Sequence, residues 1–287
     1  MDGIKIAAVV ILYHPGKSLS DNVNLMAEQV DKLFLVNNSE TELMKGIYDD
    51  SFSEKIECIN LYKNLGVAAA LNLAADNAIK QGFIYLLTLD QDSSVKPDLI
   101  KNFIHYIKTN SFIRIGILAP NYIYKDYLEK GKKNFDHPVQ LTMTSGSLLN
   151  LDAYKKVGPF LEKLFIDYVD FEYCLRLRKK GFTIIKVHNA NIYHNLGSIQ
   201  ERNFLFRKIS ITDHSPLRLF YRTRNRFYVY KSYVKDFPVF VLKDLIVFLN
   251  ELIKILVYEK NKIEKYKWIL KGFIYFLKNK MGKYELE

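Results

Sequence analysis

Two carboxylates one residue apart, Asp90 and Asp92, close the apolar run Phe83-Ile-Tyr-Leu-Leu-Thr-Leu-Asp-Gln-Asp92. Apolar character sustained over about seven residues reads as a strand buried on both faces, and the ends of such strands are where α/β proteins place their chemistry. Residues two apart on a strand point the same way, so Asp90 and Asp92 are expected to present two oxygens to one point while Gln91 faces elsewhere. Two hard oxygen ligands suit a divalent cation such as Mg²⁺ or Mn²⁺ that also holds substrate phosphates. The plainer reading is a polar turn, Asp-Gln-Asp-Ser, leading to a helix at Pro97. A second set of chemical groups follows in Leu164-Phe-Ile-Asp-Tyr-Val-Asp-Phe-Glu172. Asp167 or Asp170 can start a helix that ends at Gly181, where exposed amides and the dipole favour a carboxylate. Such a carboxylate is either a cap or a general base. His194, after the strand-like Thr183 to Tyr193, is either structural or an imidazole ligand that Mn²⁺ accepts beside oxygen.

The elements that must position these groups follow a strand–helix rhythm. Ile4 to Tyr13 reads as a first strand, broken by His14-Pro15-Gly16 before a helix from Leu19 to about Gln29, capped by Ser18 or Ser20. Lys32 to Asn38 and Ile56 to Tyr62 read as strands two and three. Asn64-Leu-Gly66 then leads into the alanine-rich helix Val67 to Ile79, and the Asp-Gln-Asp strand follows. This order within ~100 residues is a doubly wound α/β pattern with right-handed crossovers. If the strands are parallel, Tyr13, His14, Asn37, Asn38, Ser39, Asn64, Gly66, Asp90 and Asp92 share one edge of the sheet, the place for a nucleotide. Pro97 to Thr109 reads as a helix, Ile115 to Pro120 as a short strand, and Asn121 to Val139 as a surface loop. Leu141 to Asn150 reads as a strand with a Gly146 kink, which marks either a bulge or the close approach of a ligand or another backbone.

Composition narrows the class. With 287 residues and 49% hydrophobic content, the chain can fill a core. Cys58 and Cys174 read as buried thiols of a reducing compartment. The start runs almost directly into a strand without a cleavage signal, so a cytoplasmic protein is expected. A net charge of +11 asks for an acidic partner: nucleic acid, an anionic membrane or a phosphorylated substrate. No G-x-G-x-x-G and no G-x-x-x-x-G-K occurs, which disfavours dinucleotide oxidoreductases and P-loop enzymes.

Taken together, residues 4 to about 230 resemble the family 2 inverting glycosyltransferases of the GT-A fold, and within them the bacterial rhamnosyltransferases. The resemblance rests on Val10-Ile-Leu-Tyr-His-Pro15, Val36-Asn-Asn38, Asn64-Leu-Gly-Val67 with Asn72, Leu89-Asp-Gln-Asp-Ser93, Thr144-Ser-Gly-Ser147, Phe165 to Glu172 with Arg176, Tyr193-His194, and Ser215-Pro-Leu-Arg218 with Tyr221-Arg-Thr-Arg-Asn-Arg226. It implies a catalytic domain over 1–230 and a helical extension over 231–287. It also implies a donor site of Tyr13, His14, Asn37, Asn38, Asn64, Gly66, Asn72, Asp90, Gln91 and Arg224, with Asp90 on the nucleoside side. Asp92, Asp90 and His194 would hold Mn²⁺ or Mg²⁺, and Thr144, Ser145, Gly146 and Ser147 would line the acceptor and sugar pocket. Asp170 matches the second residue of the family's Glu-Asp pair, the base, with Val169 in place of the first. Asp167, Glu172 and Arg176 are nearby helpers, and Asp167 is an alternative base. The implied reaction transfers L-rhamnose from dTDP-L-rhamnose to a polyprenyl-diphosphate-linked saccharide of a surface polysaccharide. Alternatives are the same fold with a UDP-hexose donor, or a non-catalytic sugar-nucleotide-binding partner of another glycosyltransferase.

The C-terminal third adds a surface. Arg222, Arg224 and Arg226 with Tyr221 and Tyr228 form a basic aromatic cluster better suited to a diphosphate than to nucleic acid. Val239 to Tyr258 and Tyr266 to Lys278 read as amphipathic helices too interrupted to span a bilayer. Lysines beside Trp268 and Phe273 suit an anionic membrane at the inner face of the cell membrane. Packing on the catalytic domain or pairing in a homodimer remains the alternative.

Overall fold

The computed structural model describes residues 3–16, 19–44, 46–110, 114–123, 134–194, 200–204, 207–211 and 213–285. The chain divides into two compact units, one of residues 1–162 and 169–195, the other of 163–168 and 196–287.

The first unit is built on β1 (Ile6–Leu12), β2 (Lys32–Asn37), β3 (Ile56–Asn60) and β4 (Tyr85–Asp90), which run parallel in the order β3-β2-β1-β4. Every residue of β1 is buried, as are Leu86, Leu87 and Leu89 of β4. That two-faced burial is why these strands read as unbroken apolar runs, each large aliphatic contributing on the order of 1.5–3 kcal/mol. α1 (Ser20–Gln29) and α2 (Val67–Lys80) supply the crossovers. α2 buries Ala68, Ala70, Ala74, Ala75 and Ala78, small side chains that let its backbone come close to the sheet.

Beyond β4 the sheet becomes mixed. β5 (Ser93–Val95), α3 (Leu99–Thr109), β6 (Ile115–Ile123), β7 (His137–Val139), β8 (Ser147–Asn150), α4 (Leu151–Val157), α5 (Val169–Lys179) and β9 (Thr183–His194) complete the unit. β8 lies antiparallel between β4 and β6, β9 runs parallel to β6, and β5 and β7 pair antiparallel with β9.

Several expectations change. The opening strand ends at Asp90, Gln91 and Asp92 form a turn, and β5 begins at Ser93. The rule that strand residues two apart share a direction therefore does not govern Asp90 and Asp92. Only Ser147–Asn150 of the expected strand over 141–150 is extended, because Gly146 takes φ +79° and turns the chain. The strand expected over 56–62 stops at Asn60, and Val139 belongs to β7 rather than to a loop; residues 124–133 of that loop lie outside the described residues. α1 has Leu19 at its N-cap with no side-chain cap, and Ser18 lies outside the described residues. α5 starts at Val169, so Asp167, at φ +58°, precedes the helix. Cys58 is exposed because β3 is an edge strand; Cys174 is buried as expected.

The second unit holds the hairpin β10 (Gln200–Phe204) and β11 (Arg207–Ile211), then α6 (Pro216–Tyr233), α7 (Pro238–Tyr258) and α8 (Lys262–Leu277). The division near 195 rather than 230 reflects the packing of α6 with α7 and α8. Phe220 meets Trp268 and Tyr275, Leu219 sits with Phe248 and Ile269, and Gly272 abuts the Phe220 backbone so closely that a Cβ there would lie 2.5 Å from its carbonyl oxygen.

Candidate active site

The parallel register places the strand tips side by side: Ile11 pairs with Asp90, Leu12 with Asn37, and Asn37 with Asn60. Tyr13, His14, Asn37, Asn38 and Asp90 thus share one edge of the sheet. Tyr13 is 45% exposed, with its ring edge-on to His14 at 4.3 Å. His14 takes φ +45°, donates its amide to Ser39 Oγ and sets Nε2 3.2 Å from Glu40. Gln91 spends both ends of its amide on Tyr13, accepting from its N–H at 2.8 Å and donating to its carbonyl at 3.2 Å. This ties the tip of β4 to that of β1 and holds the Tyr13 backbone in place.

The same accounting reassigns most of the expected donor-site amides. Asn37, 1% exposed, donates to Thr41 and Asn60 and accepts from the Ser39 amide. Asn38 and Asn64 bond each other, Asn38 receives the Leu65 amide, and Asn64 receives that of Gly66, which takes φ +87°. Asn72 is buried and saturated, donating to the Phe160 carbonyl and Glu162 while accepting from Tyr154 Oη and the Phe160 amide. Buried amides are paired because an unmet one costs about 1–3 kcal/mol. These residues build the loops of the edge, and sequence spacing could not distinguish that from contact with a ligand.

Around the carboxylates the structure adds Thr88 and Ser93, to which the sequence reading gave no role, and binds them to the expected Thr144–Ser147 pocket. Ser145, buried, accepts the Asp90 amide at 3.1 Å, and its hydroxyl lies 2.6 Å from that of Ser93. Thr88 Oγ1 reaches the carbonyls of Thr144 (2.5 Å) and Ser147 (3.1 Å), and the Gly146 amide donates to Thr88 at 2.7 Å. The Thr144–Ser147 turn is therefore locked to β4 on both sides of Asp90. Asp170 lines a small cavity with Thr88, Thr142, Met143, Thr144, Ser147 and Cys174, which brings it against that same turn. Cys174 is pushed up to about 12 by burial and stays a thiol, unsuited to act as a nucleophile.

Asp92 is exposed and lines a cleft of about 530 Å³ with Pro15, Gly16, Leu19, Asn22 and Ser93. His194 pairs with Ser93 across β5 and β9, so its backbone lies one residue from Asp92; its side chain is outside the described residues. Among the described residues no three His, Cys, Asp or Glu are grouped as metal ligands. The donor set of Asp90 and Asp92 still fits Mg²⁺ or Mn²⁺, which are commonly held by one or two carboxylates together with substrate phosphates.

The remaining candidates have other duties. Glu172, 1% exposed, holds Arg176 through two 2.9 Å bonds, and Arg176 donates to the carbonyls of Val157 and Pro159. That buried pair ties α5 to the end of α4. Within the second unit, Asp167 pairs with Arg218 at 3.3 Å. Arg224, 1% exposed, donates to the carbonyls of Gly282, Lys163 and Leu164, and burial pushes it down to about 10. Arg226 meets Asp244 and Glu251, and Arg222 meets Glu251. Arg222 and Arg226 of the expected diphosphate cluster are thus paired with acids of α7, and Arg224 is spent on backbone carbonyls.

Comparison with known proteins gives a consistent picture. The chain is 27% identical over 280 residues, 90% of each chain, to the dTDP-rhamnosyl transferase RfbF of Shigella flexneri. TarS of S. aureus, residues 1–349 with UDP, superposes with a TM-score of 0.55 at 12% identity, over 96% of this chain and 72% of that one. The chain spans only 43% of the longer TarS structure. GalNAc-T7 with UDP, GalNAc and Mn²⁺ gives 0.59 at 12% identity, over 97% of this chain and 58% of that one. The fold is therefore the GT-A type expected from the sequence. The model of the family described as "Glycosyl transferase family 2" matches residues 8–180, more than half of the chain, and the chain belongs to that family.

Proposed function

We propose that this glycosyltransferase moves L-rhamnose from dTDP-β-L-rhamnose to a hydroxyl of a polyprenyl-diphosphate-linked saccharide, inverting the anomeric centre, at the inner face of the cell membrane in surface-polysaccharide synthesis. The observation that carries the donor is the 27% identity over 90% of both chains to a dTDP-rhamnosyl transferase. Tyr13 offers a ring for the base to stack on, and Asp90 an acceptor for a nucleoside hydroxyl. Asp92, with Asp90 and His194, would hold the divalent cation. When bound, that cation supplies positive charge to the departing diphosphate.

Asp170 accepts the proton of the acceptor hydroxyl. The acceptor oxygen then bonds to the anomeric carbon from the face opposite the nucleotide, and the anomeric C–O bond breaks with its electron pair leaving on dTDP. Such a base contributes roughly 10²–10⁴-fold. The Thr144–Ser147 turn, fixed to β4, sets where the hydroxyl must lie between Asp170 and the donor.

The test incubates the full chain with dTDP-rhamnose, UDP-glucose or UDP-GlcNAc, with Mn²⁺, Mg²⁺ or EDTA, and reads thermal stability and donor turnover. Only dTDP-rhamnose with a divalent ion should stabilise the fold, by about 2.7 kcal/mol at a hundredfold excess over Kd, and be turned over. Preference for a UDP-hexose would move the assignment to that donor, and no response to any donor would favour a non-catalytic partner.

A further inference from the structure

Thirteen of the twenty large apolar side chains exposed among the described residues lie between Val234 and Leu277. On α7 the exposed set includes Val239, Leu242, Ile246, Leu249, Ile253 and Leu256, with Leu242 60% and Ile253 57% exposed. The spacing alternates three and four, so these six form one stripe along the helix, and Val247 and Val257 widen it. A continuous exposed apolar face on a folded protein marks an interaction surface.

The acids of this region say what covers it. Asp244 and Glu251, the two acids of α7, and Glu259, at its C-cap, all turn inward. Asp244 and Glu251 pair with Arg226, Glu251 also with Arg222, and Glu259 with Lys265. Lys243 and Lys260, both exposed, stand beside the stripe. Two copies joined along it would oppose lysine to lysine, without the opposite charges that a self-pairing helix seam places beside its apolar positions. An anionic lipid surface complements both features, taking the apolar stripe into the acyl boundary and the lysines at the headgroups. α8 repeats the composition, exposing Ile263, Leu270 and Leu277 among Lys262, Lys267 and Lys278, with Glu264 as its exposed acid. Among the described residues no helix is long and apolar enough to cross a membrane.

We infer that α7 lies in the plane of an anionic membrane, held by the Val239–Leu256 stripe, and that the inward ion pairs of Asp244, Glu251 and Glu259 exist in part to clear that face of negative charge. This deepens the membrane attachment proposed above and rests on it.

The experiment floats the full chain with phosphatidylcholine vesicles, with and without phosphatidylglycerol, and measures dTDP-rhamnose stabilisation in the same preparations. Wild type should float with phosphatidylglycerol vesicles and far less without. The triple variant Ile246→Glu, Leu249→Glu, Ile253→Glu should bind at least about a hundredfold more weakly. Lys243→Glu with Lys260→Glu should bind at least about thirtyfold more weakly. Both should keep the wild-type response to donor, since none of these residues belongs to the first unit. Flotation of the triple variant equal to wild type overturns the inference. So does a wild-type dimer in sedimentation that the triple variant dissolves without any vesicle binding, which assigns the face to a second copy. Loss of the donor response in wild type would instead strike the transferase reading and leave the flotation result standing.

Discussion

At the scale of single residues, hydrogen-bonding capacity decides which polar groups remain for chemistry. Asn37, Asn72 and Arg224 have the right types for binding a sugar nucleotide, yet each is buried with its donors engaged by neighbouring loops. Asp92 is exposed beside a cleft, and Asp170 faces the Thr144–Ser147 turn. Of the two carboxylates considered as base, Asp167 answers Arg218, while Asp170 accepts the Phe171 amide and lines the cavity beside the turn. Asp170→Asn is expected to remain folded and to transfer sugar roughly 10²–10⁴-fold more slowly. Asp167→Asn should keep transfer within a few-fold of wild type. A wild-type rate in the first variant, or the collapse confined to the second, would move the base.

At the scale of elements, the turn between β7 and β8 braces the end of β4 at the candidate site. Its conformation depends on Gly146, which sits at φ +79° with no room for a side chain: a Cβ would lie 2.7 Å from Ile192 Cδ1 and 2.8 Å from Pro120 Cγ. Left-handed strain and overpacking together give Gly146→Ala an expected cost on the order of 2–4 kcal/mol, measurable by denaturant unfolding. Because Ser145 and Thr88 join this turn to Asp90, the variant should also lose donor-dependent stabilisation beyond what its lower stability explains. α6 does comparable work in the second unit. Asn225 Nδ2 lies within 3.0 Å of the carbonyls of Leu164, Ile166 and Asp167, holding a segment in which Phe165, Asp167 and Tyr168 all take positive φ. Such backbone costs roughly 1–3 kcal/mol per residue and persists only where surrounding bonds enforce it.

At the scale of the molecule, two compact units need not unfold together, and the chain carries a reporter for one of them. Trp268 is the single tryptophan and sits in the aromatic cluster of the second unit, so its fluorescence follows that unit. His214 of the same unit is held below its ordinary value of 6.5, first by burial and then by Arg222 and Arg218, against the opposing pull of Asp167 and Glu251. Folded His214 is neutral where the unfolded chain already binds a proton, so stability rises with pH across that window. It is fully present above about 6.5 and is lost as pH falls below it. Trp268-reported stability should therefore decline below that pH, and His214→Gln should flatten the decline. An unchanged slope in the variant would remove His214 as the cause.

The strand-to-helix order, the two-faced burial of β1 and β4, the alignment of their tips and the amphipathic C-terminal helices were legible from the chain alone. Each is set by local periodicity, which backbone geometry imposes on consecutive residues. The family followed from motifs spaced along that framework. Tertiary structure alone decided that Asp92 leaves the strand, that Ser145 braces Asp90 and that Asn72 serves Phe160 and Glu162. It also paired Arg222 and Arg226 of α6 with acids of α7 and left an apolar stripe exposed. The reason is the same in every case. A polar side chain has few hydrogen bonds to give, and the partners that claim them lie tens of residues away, at distances that spacing along a sequence does not encode.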